Sequence, residues 1–441
     1  MRSRCCTFCG SRVHPGSRGP AGDPQAAFRR VGAQLALPFL LLLPVFYFSP
    51  AGWAAQKPKV RAVTAFVRLE RARYPAQVEQ ALQFLRKAKA EYEQAGYEVQ
   101  TLRITTQPFP DYIRGLLPEE ALAFFRAYDD LAGKENFAAA IGPAMLDDAD
   151  DPRQADLLGE ILRSTTNLDA SLVVAGEDGV HWNAVRAAAN LMKFLAERTP
   201  RSQGNFRFAA TALVPPDTPF YPASYHTGPG RQFAVALESA NVVAETFGSV
   251  REPRAAARAL EAALGGHAQA VEASARRVAL ETGWTYVGLD LSPAPLKDVS
   301  IGAAIEKFTG AKIGSGGTIT TAALITDVLR SIPVKHAGYS GLMLPVLEDT
   351  VLAERWSEGA LTLDALLAYS AVCGTGLDVV PLPGDVTVQQ LERIIGDMAS
   401  LAVKLRKPLS ARLLPVAGKK AGDRTEFSDP FLVNATIRPL P

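Results

Sequence analysis

Two polar residues follow an apolar stretch near the middle of the sequence, and they are the first candidates for chemistry. Asp290 and Ser292 come after Trp284–Leu289, whose alternating aromatic and aliphatic residues predict a buried strand. Catalytic groups of βα folds collect at strand ends. Asp290 is therefore a candidate to act as a base, to bind a metal or to orient a substrate. The alternative is a carboxylate that fixes a loop.

A glycine-rich turn precedes the helical pattern Thr321–Leu329. Its free backbone N–H groups and the positive end of the helix dipole predict a site for a carboxylate or phosphate. The alternative is a tight turn with Thr318 or Thr320 as the helix cap. We expect the turn and Asp290 to meet at one cavity. The residues of this predicted anion site are Gly314, Ser315, Gly316, Gly317 and Thr318.

His226 and Cys373 are candidates for proton transfer and nucleophilic attack. His226 lies in the proline-rich segment Pro215–Gly230, whose length is typical of a functional or mobile loop, and it is either a general base or a surface histidine. Cys373 precedes Gly374–Gly376, a turn that exposes the sulfur if the thiol is a nucleophile; the alternative is a small buried hydrophobe. No His-x-x-x-His pair is present, so the sequence predicts no metal site of this kind.

Asp378 and Arg412 complete the set of candidate groups. Arg412 lies on a predicted strand near the C-terminus, and its guanidinium has the geometry to clamp a carboxylate with two hydrogen bonds. Asp378 is a candidate ligand contact, with a backbone group or Arg412 as its alternative partner. A structural ion pair is the common outcome for such an arginine.

Alternating strands and helices predict how these groups are positioned. The chain opens with a strand at Val60–Leu69, a helix from Pro75 and a second strand after Gly96. The alternation continues for about ten strands, including Leu342–Leu347, and predicts mostly parallel pairing. The length also allows two domains. Because no linker rich in Gly and Ser divides the chain, we expect a single α/β barrel-like domain over residues 57–441, surrounded by helices.

The composition is that of a soluble globular protein. Of the 441 residues, 48% are hydrophobic and 21% are charged, which excludes disorder on a large scale. The formal net charge is +2, but six arginines and a single acid fall within residues 1–56, so the remainder is mildly acidic. No basic stripe is present after residue 57, and we expect no nucleic-acid partner.

Residues 1–56 have the order of a secretory signal. Arg29 and Arg30 precede the apolar run Leu35–Phe48 and a small-residue exit, with cleavage expected after Ala54. The protein is therefore expected to be exported, to the periplasm or the extracellular space. One alternative is a membrane anchor, since about 20 apolar residues span a bilayer. Another is a start codon downstream of Met1, which would leave the protein in the cytoplasm.

Three segments resemble an uncharacterised family known as domain of unknown function 711 or uncharacterised protein family 0210. They are Tyr286–Pro295, Gly314–Ala323 and Cys373–Asp385. The family is similar in fold to the pyruvate formate-lyase-like proteins, so the resemblance implies a large α/β barrel of about ten strands and transfers no activity. The C-terminal region, with Val416-Ala-Gly-Lys, lacks a glycyl radical motif, so radical chemistry is not expected.

Together these groups favour an enzyme that acts on a small anionic metabolite, with the reaction and any cofactor unknown. The anion is expected at the glycine turn and Arg412, and Asp290 or His226 is expected to move a proton. The alternative is a non-catalytic exported binding or sensory module, in which Pro215–Gly230 closes over the ligand. Membrane contact is expected only through the N-terminal segment, and an oligomer is compatible with the sequence.

Overall fold

The computed structural model describes residues 57–440, so the predicted signal or anchor at residues 1–56 lies outside the described part. None of the helices within it combines the length and the apolar character that crossing a bilayer requires. The strands are β1 (Lys59–Val67), β2 (Val99–Thr106), β3 (Ala138–Pro143), β4 (Leu168–Gly176), β5 (Gly179–Val180), β6 (Phe208–Ala212), β7 (Gln232–Glu238), β8 (Thr285–Asp290), β9 (Gly376–Pro383) and β10 (Leu409–Val416). The helices are α1 (Tyr74–Gln94), α2 (Pro110–Ile113), α3 (Pro118–Glu135), α4 (Arg153–Ser164), α5 (Trp182–Arg198), α6 (Ala240–Ser249), α7 (Pro253–Thr282), α8 (Ile301–Thr309), α9 (Thr318–Ser331), α10 (Thr350–Glu358), α11 (Leu363–Ser370) and α12 (Val388–Leu405), with a 3-10 helix at Pro200–Arg207.

The opening β1-α1-β2 unit shows why the chain folds locally as it does. Apolar residues recur at helical spacing in α1, so Val78, Leu82 and Leu85 are buried on one face, and Pro75 fits the first turn, where no N–H is needed. The helix returns the chain to the start of the sheet, and β2 pairs parallel to β1. The predicted β-α-β opening is confirmed.

The strands form one ten-stranded sheet in the order β8-β7-β1-β2-β3-β4-β6-β10-β9, with β5 added beside β4. Pairing is parallel from β1 through β4 to β6, between β7 and β8, and between β9 and β10. It is antiparallel where β7 meets β1 and where β6 meets β10. The mostly parallel α/β arrangement predicted from the sequence is confirmed.

Strands β8 and β9 are the two ends of this order, so the pairing stops short of the expected closed barrel. Residues 335–346 run between them: the Leu289 amide donates to the Lys335 carbonyl at 2.7 Å, and the Val346 amide donates to the Asp378 carbonyl at 2.9 Å. The predicted strand Leu342–Leu347 falls in this region and is wrong. Pro345 has no N–H to donate, which hinders a continuous ladder there.

One face of the sheet is unusually polar, although the strands are largely buried. Polar residues recur at alternate positions, and alternate residues of a strand share a face. The recurring pairs are Arg103 with Thr105 on β2, Asp169 with Ser171 on β4, and Ser410 with Arg412 on β10. The other face packs apolar side chains against helices such as α1 and α12. The polar face is where a site can form.

The long Pro215–Gly230 segment packs on this polar face. The Tyr221 hydroxyl donates to the Ile104 carbonyl at 2.8 Å, and Ser224 and Thr105 share a hydroxyl–hydroxyl hydrogen bond of 2.8 Å. Phe220 is buried with Tyr339 in a small apolar cluster beside them. These contacts attach the segment along β2.

Candidate functional site

A cavity of about 630 Å³ lies at the polar face and is the strongest candidate site. This volume lies within the range of small-molecule sites, roughly 300–1,000 Å³. Its wall is formed by residues of β1, β2, β3, β4, β7 and β10. The loop that follows β8 and the loop that precedes α10 also contribute. The charged and aromatic residues that matter most here are Arg61, Arg103, Asp169, Tyr221, Glu348 and Arg412.

Arg103 presents a cation that forms no ion pair in the described part of the chain. Its Nε donates to Thr101 Oγ1 at 3.1 Å, and Nη1 donates to the Pro219 carbonyl at 3.3 Å. The guanidinium lies 4.7 Å from the ring centre of Tyr221. Burial and the nearby Arg61 lower the pKa of Arg103 to about 10, which leaves it charged at neutral pH. A half-buried cation whose hydrogen bonds are all to neutral groups favours an anionic ligand.

Asp169 presents the complementary feature, a carboxyl without a hydrogen-bond donor or ion-pair partner among residues 57–440. Burial raises the pKa of Asp169 to about 7, while attraction to Arg207, Arg103 and Arg412 opposes that rise. A carboxyl with a pKa near neutrality exists in both protonation states at physiological pH. Asp169 can therefore donate or accept a proton at the cavity wall.

Arg412 belongs to a buried ion-pair network. Its Nε donates to Asp378 Oδ1 at 2.8 Å, and Nη2 donates to Glu348 Oε2 at 2.7 Å. The guanidinium also lies 4.8 Å from the centre of the Phe206 ring. Burial raises the pKa of Asp378, and the charge of Arg412 opposes that rise. Of the two alternative partners for Asp378, the ion pair with Arg412 is the one observed. The positive charge of Arg412 is therefore already balanced by Asp378 and Glu348.

Asp290 and Ser292 line a small recess of about 20 Å³ that shares Arg61, Arg103 and Tyr221 with the large cavity. The Asp290 carboxylate accepts four hydrogen bonds. The donors are Ser292 N at 2.9 Å, Ser292 Oγ at 2.5 Å, Tyr339 N at 3.2 Å and Ser340 N at 3.2 Å. Burial raises the pKa of Asp290, and these hydrogen bonds oppose the rise. The arrangement is that of a carboxylate that holds the loop after Gly338.

His226 is fully buried, and both of its ring nitrogens are engaged. Nε2 accepts from the Gly230 amide at 3.0 Å, so Nδ1 carries the proton and donates to Asp217 Oδ1 at 2.6 Å. The ring stacks on Phe66, with ring centres 5.9 Å apart. His226 therefore ties the long loop together and has no free nitrogen for a substrate. Its catalytic role stays a prediction without geometric support.

Cys373 is buried, with 1% of its surface exposed. It follows α11, and the neighbouring Gly374 amide donates to the Leu342 carbonyl, which packs the turn tightly against residues 341–342. Cys373 is not part of the cavity wall. The arrangement fits a small buried side chain, and the predicted nucleophilic role has no exposed sulfur to support it.

The glycine turn is not part of the cavity wall either. Ser315, Gly316 and Gly317 lie at the surface, and Gly314 N donates to Thr318 Oγ1 at 3.1 Å. Gly314 and Gly317 have φ values of 101° and 98°, a region that favours glycine. The turn therefore has a local reason for its glycines. The shared cavity expected for the turn and Asp290 does not form, and anion binding at the turn stays a prediction.

The sequence analysis missed Arg103, Asp169 and Glu348. A signal for the first two is present, because each stands within an otherwise apolar or neutral strand where a charge is costly to bury. Glu348 lies in the loop before α10, far from Arg412 in sequence. Its side chain meets the cavity only through the folding of that loop, and no local pattern announces it.

Within residues 57–440, no group of three or more His, Cys, Asp or Glu side chains is arranged to hold a metal ion. Fold and site define an α/β protein with a charged cavity on the polar face of a largely parallel sheet. Residues 53–428 match the family described as Uncharacterised ACR (DUF711). The chain belongs to this family.

The chain is also similar to several proteins that are named UPF0210 proteins. A UPF0210 protein of Pyrobaculum aerophilum is 35% identical over 349 residues, which cover 74% of this chain and 76% of that protein. One from Methanopyrus kandleri is 32% identical over 292 residues, 62% of each chain. One from Bifidobacterium longum is 30% identical over 292 residues, 60% of this chain and 61% of that protein. None of these names states an activity.

Proposed function

We propose that this protein binds a small anionic metabolite in the 630 Å³ cavity and transfers a proton to or from it. The observation that carries the proposal is the presence, in one cavity wall, of an arginine and a carboxyl that form no ion pair within the described chain. Arg103 holds the anionic group, and Asp169 is the acid or base. Arg412 positions Glu348 and Asp378 instead of contacting the anion as a free guanidinium.

The position of Arg103 suits an anion for two reasons. Its contacts to Thr101 and Pro219 fix the side chain without neutralising it. Partial desolvation strengthens the attraction between the guanidinium and a carboxylate or phosphate, because both lose screening by water. Arg61, whose Nη2 lies 3.7 Å from Glu348 Oε1, adds a second positive charge beside the cavity.

Asp169 is suited to proton transfer because its pKa of about 7 is close to working pH. General acid–base catalysis contributes about 10²- to 10⁴-fold when the pKa of the group is matched in this way. An anion bound nearby stabilises the protonated carboxyl and raises its pKa further. Asp169 is then ready to donate the proton when the anion arrives.

The second candidate function is a non-catalytic binding or sensory module that uses the same cavity. It is favoured by the hydrogen bonding of Asp290 and His226, the two residues that the sequence suggested for proton transfer. Asp290 accepts four hydrogen bonds, and His226 has both nitrogens engaged. A binding module needs Arg103 and has no need for the titration of Asp169.

The test is calorimetric binding and thermal unfolding with inorganic phosphate and a panel of mono- and dicarboxylates. Arg103→Gln is the key variant, and Arg126→Gln, on the exposed face of α3, is its control. We expect at least one anion to raise the Tm of the wild type and of the control, and to bind Arg103→Gln at least about tenfold more weakly. If every anion leaves the wild-type Tm unchanged, the proposal is wrong.

Turnover separates the two candidates. If a metabolite screen finds a reaction, its rate should fall by about 10²-fold or more in Asp169→Asn, while ligand binding persists. Binding without turnover in the wild type would instead favour the module.

Two further proposals concern the whole chain. We propose that the protein is exported, on the basis of the charged, apolar and small-residue order of residues 29–56, and sequencing the N-terminus of the mature protein tests this. We also propose a relationship in fold to the pyruvate formate-lyase-like proteins, which the ten strands and their mostly parallel pairing support.

A further inference from the structure

The charges of the cavity wall carry information about the ligand once internal ion pairs are set aside. Lys59 is paired with Glu98 at 3.0 Å, and Glu348 with Arg412 at 2.7 Å. The charged lining residues that keep no ion pair within residues 57–440 are Arg103 and Arg207 among the cations and Asp169, Glu238 and Asp429 among the acids. Both signs are left over, so the wall is not simply cationic.

Glu238 is the clearest of the remaining acids. It ends β7 opposite Lys59 of β1, and 6% of its surface is exposed. Lys59 instead donates to Glu98, so Glu238 gains no ion pair from its neighbour across the strands. Its carboxylate lines the cavity with no hydrogen-bond donor among the described side chains. Buried carboxylates are costly unless they are paired, which makes Glu238 a place for a cationic group of a ligand.

A ligand with only negative charge fits this wall poorly. It would gain the attraction of Arg103 but meet the repulsion of Glu238 and of the ionised fraction of Asp169. A ligand with only positive charge has the opposite difficulty, because it would meet the repulsion of Arg103 and Arg207. A small molecule that carries one group of each sign satisfies both halves of the wall.

We infer that the metabolite bound in this cavity is a zwitterion, with its carboxylate at Arg103 and its ammonium group at Glu238. This inference rests on the proposed function: it keeps the carboxylate at Arg103 and adds an ammonium group to the same ligand, which gives amino acids and related amino carboxylates as the ligand class. An ammonium group supplies three hydrogen-bond donors and a positive charge for the unpaired Glu238 carboxylate, and the Arg103 guanidinium pairs with a carboxylate.

The inference is tested with two matched series of compounds. The first is glycine, β-alanine, 4-aminobutanoate and 5-aminopentanoate, which move the ammonium group away from the carboxylate step by step. The second is acetate, propanoate, butanoate and pentanoate, which lack the ammonium group. Calorimetric titration at pH 7 should show at least one amino carboxylate binding about tenfold or more tightly than its matched carboxylate. The preferred length then gives the spacing of the two charges.

The variant Glu238→Gln should remove most of that preference, because it weakens binding of the amino carboxylates and leaves the affinity for simple carboxylates unchanged or higher. Its control is Glu245→Gln, which makes the same substitution on the exposed face of α6. Equal or tighter binding of each simple carboxylate overturns the zwitterion and leaves the proposed anion function intact. Absence of binding by both series also overturns it, and phosphate and dicarboxylates then decide the proposed function separately.

Discussion

Arg412 and Arg103 line the same cavity, yet their guanidinium groups have opposite surroundings. Arg412 donates to Asp378 and Glu348 at 2.8 and 2.7 Å, whereas Arg103 donates to the neutral Thr101 hydroxyl and a backbone carbonyl. The first arginine is part of the internal structure of the wall. The second forms no direct ion pair within the described chain, so its guanidinium can pair with a ligand.

The carboxyl groups repeat this contrast. Asp290 accepts four hydrogen bonds, while Asp169 accepts none from residues 57–440. Desolvation raises the pKa of both, so burial alone does not distinguish them. What distinguishes them is whether the folded chain supplies partners. A charged group that is both buried and unpartnered is the better guide to a ligand site.

The largest expected effect comes from breaking the paired set. Arg412→Gln removes the cation between Asp378 and Glu348, so the buried Asp378 loses its ion pair and Glu348 keeps only Arg61, 3.7 Å away. We expect a loss of about 3–5 kcal/mol in the free energy of unfolding, measured by urea denaturation. Arg103→Gln should cost only about 1–2 kcal/mol, from its hydrogen bonds and its contact with Tyr221. Equal losses in the two variants would remove the distinction between paired and open arginines.

The pH dependence of stability sharpens the same contrast at Asp169. Its folded pKa of about 7 lies above an unfolded value of about 3.9, so between these values the folded state binds more protons. The wild type should therefore lose stability relative to Asp169→Asn as the pH rises from about 4 to about 7, by at most about 1.4 kcal/mol per pH unit. Contact with cavity water reduces the slope.

Urea denaturation of both proteins at several pH values measures this difference. Asp130→Asn, an exposed substitution on α3, is the control and should follow the wild type at every pH. A constant difference between Asp169→Asn and the wild type would show that the carboxyl titrates normally.

The smallest effects concern the glycine turn. A methyl group at Gly314 would overlap the Ala360 carbonyl oxygen, and φ is 101° there, so Gly314→Ala should cost about 1–3 kcal/mol in unfolding free energy. Gly316 has open space around it, and Gly316→Ala should change stability by less than about 0.5 kcal/mol. Neither variant should weaken anion binding. A tenfold loss of anion affinity in Gly316→Ala would instead indicate that the anion binds at the glycine turn.

The prediction from sequence succeeded where the signal was local. Helical spacing in α1 and the alternation of strands with helices gave the α/β class and the mostly parallel pairing. The prediction also placed Asp290 at the end of β8 and offered Arg412 as a partner for Asp378, and both are observed. It went wrong at Leu342–Leu347, where the apolar run resembles a strand but Pro345 lacks the N–H that a ladder uses.

The candidate site depended on information that is not local. Arg103 and Asp169 stand on strands β2 and β4, which are separated by β3, and Glu238 belongs to β7. Each residue looks like an isolated charge when the sequence is read in order. These charges line one cavity only in the folded sheet. There β7 pairs antiparallel to β1, β10 pairs antiparallel to β6, and both strands contribute to the wall that also holds Arg103 and Asp169.

The sequence by itself therefore determined most of the helices and strands, because periodicity and capping act over a few residues at a time. The tertiary structure decided which charges find partners, because ion pairs such as Arg412 with Glu348 join residues 64 positions apart. A carboxylate or guanidinium becomes available to a ligand only when folding has assigned partners to its neighbours and left it without one. That assignment is made by strand order and loop packing together.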